Sequence, residues 1–164
     1  MTASKPPSQA TVYFWFPLAV VFLADLATKW AADALLSDKI ELSPFLNLKL
    51  HYNYGISFGL LQATDPIARW TLTLGTAAVA TVVLALGYRE TAKTDQLALS
   101  LVAGGALGNL VDRARDGRVT DFLDLHLSDW HWPLFNIADV AITIGMLALV
   151  WVNLRRPLAK QGGP

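Results

Sequence analysis

Long apolar runs alternate with shorter polar segments along this chain, and their spacing predicts four membrane-spanning helices. The runs lie at about 12–36, 67–88, 96–113 and 136–154, each near the ~20 residues an α-helix needs to cross a hydrocarbon layer. The first is apolar from Phe14 to Ala24 and then carries Asp25 and Lys29. At i, i+4, with the acid first, these two share a helix face. Neutralising each other there is the cheap way to keep both out of lipid, either as a structural salt bridge or as part of a site. The second run is uncharged after Arg69. The third contains Ala103, Gly104 and Gly108, small residues whose expected role is close helix packing.

The two longer connections are not simple loops. Within 37–66, Leu46, Leu48, Leu50 and Tyr52 alternate with Asn47, Lys49, His51 and Asn53, the period of a strand with one face buried. A short amphipathic piece around 58–61 follows. Within 115–135 another strand-like stretch spans 122–127. The expected fold is therefore membrane α-helical. It has four transmembrane helices, a small extramembrane β-sheet and a short interfacial helix, all in a single membrane domain over 1–164. Residues 1–11 read as a loose polar tail. The first apolar run lacks a basic leader and a small-residue cleavage site, so it is expected to be a permanent span rather than a cleaved signal.

Composition strengthens the membrane reading. Of 164 residues, 54% are hydrophobic and 16% charged, against about a quarter charged in soluble domains, and the mean hydropathy is +0.40. A formal net charge of zero implies no bulk attraction to nucleic acid. The absence of cysteine excludes disulfides, thiolate ligands and a cysteine nucleophile. His51, His126 and His131 show no metal-ligand spacing and are expected at the rim, so no metal or cofactor is implied.

Four spans put both termini on one side. Lys5, Arg89, Lys93, Arg155, Arg156 and Lys160 fall on that side, which the positive-inside rule assigns to the cytoplasm. Lys39, Lys49, Arg69, Arg113, Arg115 and Arg118 fall on the other. With alternating helix directions, Asp25, Lys29, Asn53, Asn109, Asp112, Arg113, Asn136 and Asp139 all lie near the non-cytoplasmic face, whereas the cytoplasmic halves carry almost nothing ionisable. That convergence implies one polar site at the outer membrane boundary. Its centre is expected where Val119-Thr-Asp-Phe-Leu-Asp and Phe135-Asn-Ile-Ala-Asp139 set Asp121 and Asp139 among apolar residues, because a carboxylate at the mouth of a membrane helix is costly.

Local structural roles compete for several of these residues. Asn136 and Asp139 match an N-cap with an acid at N3. Asp112 and Arg113 read as a local ion pair closing a helix end. Asp124 and Asp129 read as solvated. If Asp121 and Asp139 do meet, they cannot both ionise and share a proton. One then takes a proton from water while the other protonates a carbonyl oxygen or leaving nitrogen, which is peptide hydrolysis without a covalent intermediate. A small proton-linked transporter would use the same charges. It predicts polar residues through the full depth and internal repeats, and neither is present.

Asp25-Leu-Ala-Thr-Lys29, Asn53-Tyr-Gly55, Gly104-Gly-Ala-Leu-Gly-Asn-Leu-Val-Asp-Arg113, Val119-Thr-Asp-Phe122 and Phe135-Asn-Ile-Ala-Asp139 together resemble the lipoprotein signal peptidase (signal peptidase II) family. Five motifs in order cover nearly the whole chain. Ser57 stands where the family commonly has alanine. The resemblance implies an aspartic endopeptidase of the bacterial inner membrane that cleaves prolipoproteins just before a diacylglyceryl-modified cysteine. It implies Asp121 and Asp139 as the catalytic dyad. Asn53, Gly55, Gly105, Asn109, Asp112, Arg113, Asn136 and Ala138 would bind substrate or support the dyad, and Asp25 with Lys29 would support the fold nearby. Gly105 and Ala138 would leave room for the substrate backbone. It also implies a β-cradle and a periplasmic helix within 37–66, a lipid-borne substrate, and inhibition by globomycin-class peptide antibiotics.

Overall fold

The computed structural model describes residues 10–55 and 65–155. The amphipathic piece at 58–61, Ser57, the tail at 1–9, and Lys5, Arg156 and Lys160 of the charge argument lie outside the described residues. In order the elements are α1 (Ala10–Leu35), β1 (Ile40–Ser43), β2 (Leu46–Asn53), α2 (Pro66–Arg89), α3 (Lys93–Asp116), β3 (Val119–Leu127), β4 (Trp130–His131) and α4 (Ile137–Arg155). Four helices carry a small antiparallel sheet of order β1-β2-β3-β4, as expected.

The packing is inverted relative to a soluble protein. Large apolar side chains such as Phe16, Leu23, Leu74, Val82 and Leu147 are exposed, while Asp25, Lys29, Asn109, Asp112, Asp121 and Asn136 are buried. That is the arrangement lipid imposes, since charges in a span must face the bundle interior. By length and composition α1, α2 and α4 can each cross a membrane. The third expected span differs. α3 is as long as α2 but too polar to meet that criterion. It packs against the other three helices, so protein rather than lipid surrounds its polar side chains.

Local chemistry sets the helix ends. Asp65 caps α2 by accepting from the backbone N–H groups of Ile67 (2.9 Å) and Ala68 (3.0 Å), with Pro66 at the first helical position. Gly117 ends α3 at φ 70°, its N–H donating to the Arg113 carbonyl, the left-handed cap that favours glycine. Within α2, Thr71, Thr73, Thr76 and Thr81 each donate to the carbonyl four residues back, which satisfies their hydroxyls where lipid offers no acceptor.

Two apolar clusters hold the assembly. Phe14, Leu18, Leu99 and Ala103 form one between α1 and α3. Ala32, Leu36 and Phe122 form the other, with Leu48, Leu50, Leu123 and Ile137 against it, and this cluster seats the sheet on the helix ends. Small residues on α3 permit the closest helix approach: a Cβ on Gly104 would meet the Leu18 carbonyl at 2.7 Å. This is the packing role expected of them.

The sheet corrects three expectations. β3 reaches back to Val119 instead of starting at 122, so Asp121 sits on a strand. β2 half-buries Leu46, Leu48, Leu50 and Tyr52 and exposes Lys49 and His51, but Asn47 breaks the alternation by being buried. The reason is Asp124, expected to be solvated and in fact 1% exposed. Asn47 Nδ2 donates to its Oδ2 (3.1 Å), and His131 Nδ1 lies 2.6 Å from its Oδ1, so one carboxyl ties β2, β3 and β4 together. Burial pushes that carboxyl up, but the hydrogen bonds from His131 and Asn47 outweigh it and leave it below the usual carboxylate range. At the other end of the bundle, Asp95 and Gln96 are buried near the start of α3, so the terminal halves are less apolar than expected.

Candidate active site

Backbone pairing brings the two aspartate segments together. Leu123 and Phe135 form a bridge. The Phe135 carbonyl accepts from Phe122 N–H (3.0 Å) and Leu123 N–H (2.9 Å), and Phe135 N–H donates to the Leu123 carbonyl (3.1 Å). This pins the residue before the α4 cap against β3. Asn136 then caps α4, its Oδ1 accepting Asp139 N–H (3.0 Å) while Asp139 Oδ2 accepts Asn136 N–H (3.3 Å). The reciprocal capping box holds the Asp139 side chain back toward the helix start. From the same residue, Asn136 Nδ2 donates to Asp121 Oδ1 at 2.6 Å. Asn136 therefore touches both carboxyl groups. The cap and the site are one structure, although the sequence offered them as alternatives.

Two further asparagines complete the ring. β2 pairs Asn53 with Val119 and His51 with Asp121, so Asn53 lies diagonal to Asp121 and its Nδ2 donates to Asp121 Oδ2 (3.1 Å). From α3, Asn109 Nδ2 donates to Asp139 Oδ1 (3.0 Å). Each amide oxygen is occupied by a donor: Gly55 N–H on Asn53 (3.0 Å), Asp139 N–H on Asn136, and the Lys29 ammonium on Asn109 (2.8 Å). A backbone N–H or an ammonium cannot accept. Each amide is thereby forced to turn its NH₂ toward an aspartate.

Behind this ring lies an ionic group. Lys29, 2% exposed, sits 2.7 Å from Asp25 Oδ2 and 3.2 Å from Asp112 Oδ2. Asp25 Oδ1 accepts Ala138 N–H (2.9 Å) and Asp112 Oδ2 accepts Thr120 N–H (3.0 Å). The expected local pair of Asp112 with Arg113 is replaced by this one. Successive helix residues point about 100° apart, so Asp112 faces α1 while Arg113 turns to the cavity and donates to the Gly55 carbonyl (3.3 Å).

A cavity of about 500 Å³ opens over the pair. Asn53, Asn109, Arg113, Asp121 and Asp139 form its polar end. Trp132 to Phe135 and, on α4, Val140, Thr143 and Ile144 form a largely apolar wall, and Ile144 is 52% exposed on a helix apolar enough to cross a membrane. Burial, and then the Asp139 charge, push the Asp121 carboxyl up to about 7. An acid that keeps its proton to neutrality beside a second carboxyl has the makings of a general acid/base pair.

Of the expected site residues, Asn53, Asn109, Arg113, Asp121 and Asp139 face the cavity. Asn136, Asp25, Lys29 and Asp112 stand behind them, and Gly55 braces Asn53 and Arg113. Gly105 and Ala138 do not leave room for a ligand. A Cβ on Gly105 would meet the Ala138 carbonyl at 2.5 Å, and Ala138 is fully buried. Their smallness serves the contact of α3 with α4. Thr120, whose N–H reaches Asp112, was not foreseen, because a backbone donor leaves no mark on side-chain patterning. Among the described residues, no group of three or more His, Asp or Glu is placed to hold a metal ion.

Known proteins resemble this chain in sequence and fold. A family profile described as "Signal peptidase (SPase) II" matches residues 18–155. The lipoprotein signal peptidase of Rhizorhabdus wittichii is 48% identical over 137 residues, covering 80% of both chains. That of Paraburkholderia phymatum is 41% identical over 158 residues, covering 94% of this chain and 95% of its own. A solved structure described as "Bacterial membrane enzyme structure by the in meso method at 2.3 A resolution" superposes with a TM-score of 0.78 at 28% identity, covering 91% of this chain and 92% of that one.

Proposed function

The chain belongs to the signal peptidase II family and is a multi-pass membrane peptidase, and on that premise we propose that it is an aspartic endopeptidase. Its substrates are prolipoproteins carrying a diacylglyceryl cysteine, cut on the N-terminal side of that cysteine. The observation that carries the reading is Asn136, one residue bonded to both Asp121 and Asp139 at the polar end of a cavity whose other wall is largely apolar.

The chemistry follows from one proton held by two carboxyls. The ionised member takes a proton from water as the water oxygen attacks the scissile carbonyl carbon. The protonated member gives its proton to the carbonyl oxygen, so a neutral gem-diol forms. As the C–N bond breaks, a carboxyl protonates the leaving nitrogen and the diol returns a proton to the pair, which ends as it began. Arg113, on the cavity wall, lies where it can steady the substrate backbone. The acyl chains stay in lipid along Val140 and Ile144 while the peptide lies over the dyad. Both termini are cytoplasmic and the site is periplasmic, in the bacterial inner membrane. Arg89, Lys93 and Arg155 at the terminal end fit that orientation.

The test is incubation of purified enzyme with a diacylglyceryl prolipoprotein, followed by product mass. The expected product begins at the lipidated cysteine, forms equally with a chelator present, and is lost with globomycin. A product cut elsewhere, or one abolished by the chelator, would refute the proposal.

A further inference from the structure

We propose that Lys29 is the common positioning residue of the two aspartates, acting through three relays, two toward Asp139 and one toward Asp121. The inference rests on the dyad reading above and adds to it a residue that touches neither carboxyl. One relay runs from the Lys29 ammonium through Asn109: the amide oxygen takes the ammonium at 2.8 Å, so the amide nitrogen must face Asp139 Oδ1 at 3.0 Å. A second runs through Asp25 to Ala138 N–H, the residue before Asp139. The third runs through Asp112 to Thr120 N–H, the residue before Asp121. A single buried cation on α1 thus fixes the chain immediately ahead of each aspartate and the polarity of the amide between them.

The alternative is that Lys29 only neutralises Asp25 and Asp112 for the sake of folding. Three features separate the two roles. Asn109 accepts from both Lys29 (2.8 Å) and Asn136 (3.2 Å), and without the ammonium only the longer contact opposes turning its oxygen against the Asp139 carboxylate. The Lys29 charge also lowers the proton affinity of Asp121. Its removal should therefore let the pair keep its proton to higher pH. Finally, a residue that orients groups without meeting the substrate acts on turnover and leaves binding alone.

The experiment uses the full-length enzyme and a synthetic diacylglyceryl-cysteine peptide. It compares Lys29→Met with the double variant Asp25→Asn/Lys29→Met. The double variant removes one of the two buried carboxylates that lose their cation, so the net buried charge stays that of the parent where the single can fail to fold, and it keeps an oxygen for Ala138 N–H. For both, kcat should fall about 100-fold, the scale of a misplaced reacting group, with KM within about threefold and the alkaline limb of the pH profile displaced upward. A double variant with normal kcat and an unmoved limb overturns the inference. Asp121→Asn and Asp139→Asn run alongside: if these cleave normally the dyad itself is wrong, whereas if they are inactive and the double variant is normal, only the role of Lys29 is wrong.

Discussion

The two ends of the bundle carry similar polar residues and use them differently. Where α2 turns into α3, Glu90 Oε1 accepts from Thr91 N–H and Ala92 N–H (2.7 and 2.9 Å), and Gln96 Nε2 donates to the Glu90 carbonyl (2.6 Å). These partners lie within six residues of one another, and they close helix ends. At the opposite end, Lys29 reaches Asn109, Asn53 reaches Asp121, and Asn109 reaches Asp139, side chain to side chain across α1, α3, α4 and the sheet. Local caps satisfy orphan backbone groups wherever a helix stops. Buried networks between distant elements must be satisfied in full to be tolerated, and here the network ends on two acids facing a cavity.

Substitutions at the two ends should therefore separate activity from stability. Asn136→Ala strips a donor from Asp121 and the cap from α4, and cleavage should fall by about 100-fold or more; kinetics on folded enzyme measures this. Asp112→Ala leaves Lys29 short of a buried partner and Thr120 N–H without an acceptor. It should cost about 3–5 kcal/mol, read from unfolding in detergent.

The pH dependence of stability has a definite sign. Asp121 holds its proton to about 7 when folded, against 3.8 for an ordinary aspartate in the unfolded chain. The folded chain binds the extra proton between those values, so stability is lost as pH rises through that window. Asp121→Asn should therefore be more stable to unfolding than the parent at pH 8, by up to about 4 kcal/mol, with the difference vanishing near pH 4. At the capping end, Glu90→Ala should cost only about 1 kcal/mol and leave cleavage unchanged. A large loss of activity there would erase the distinction between the ends.

What could be read in the sequence follows the range of each interaction. The helices were legible because apolar runs report burial in lipid directly, and the Asp25–Lys29 pair because i, i+4 is a fixed neighbourhood. The capping box of Asn136 and Asp139 was equally visible. Asp112 points in sequence to its neighbour Arg113, because its true partner, Lys29, is on another helix. Asp124 reads as solvated because nothing near it in sequence announces Asn47, which arrives only when β2 pairs with β3. The small residues Gly105 and Ala138 could not be assigned to ligand or packing until α3 and α4 were placed against each other.

The most direct measurement is cleavage of a diacylglyceryl prolipoprotein by Asp139→Asn, an isosteric change that keeps the acceptor oxygen and removes the carboxyl. The account predicts a correctly inserted, folded protein with no detectable product over the time in which the parent converts all substrate. Turnover near the parental rate would contradict it.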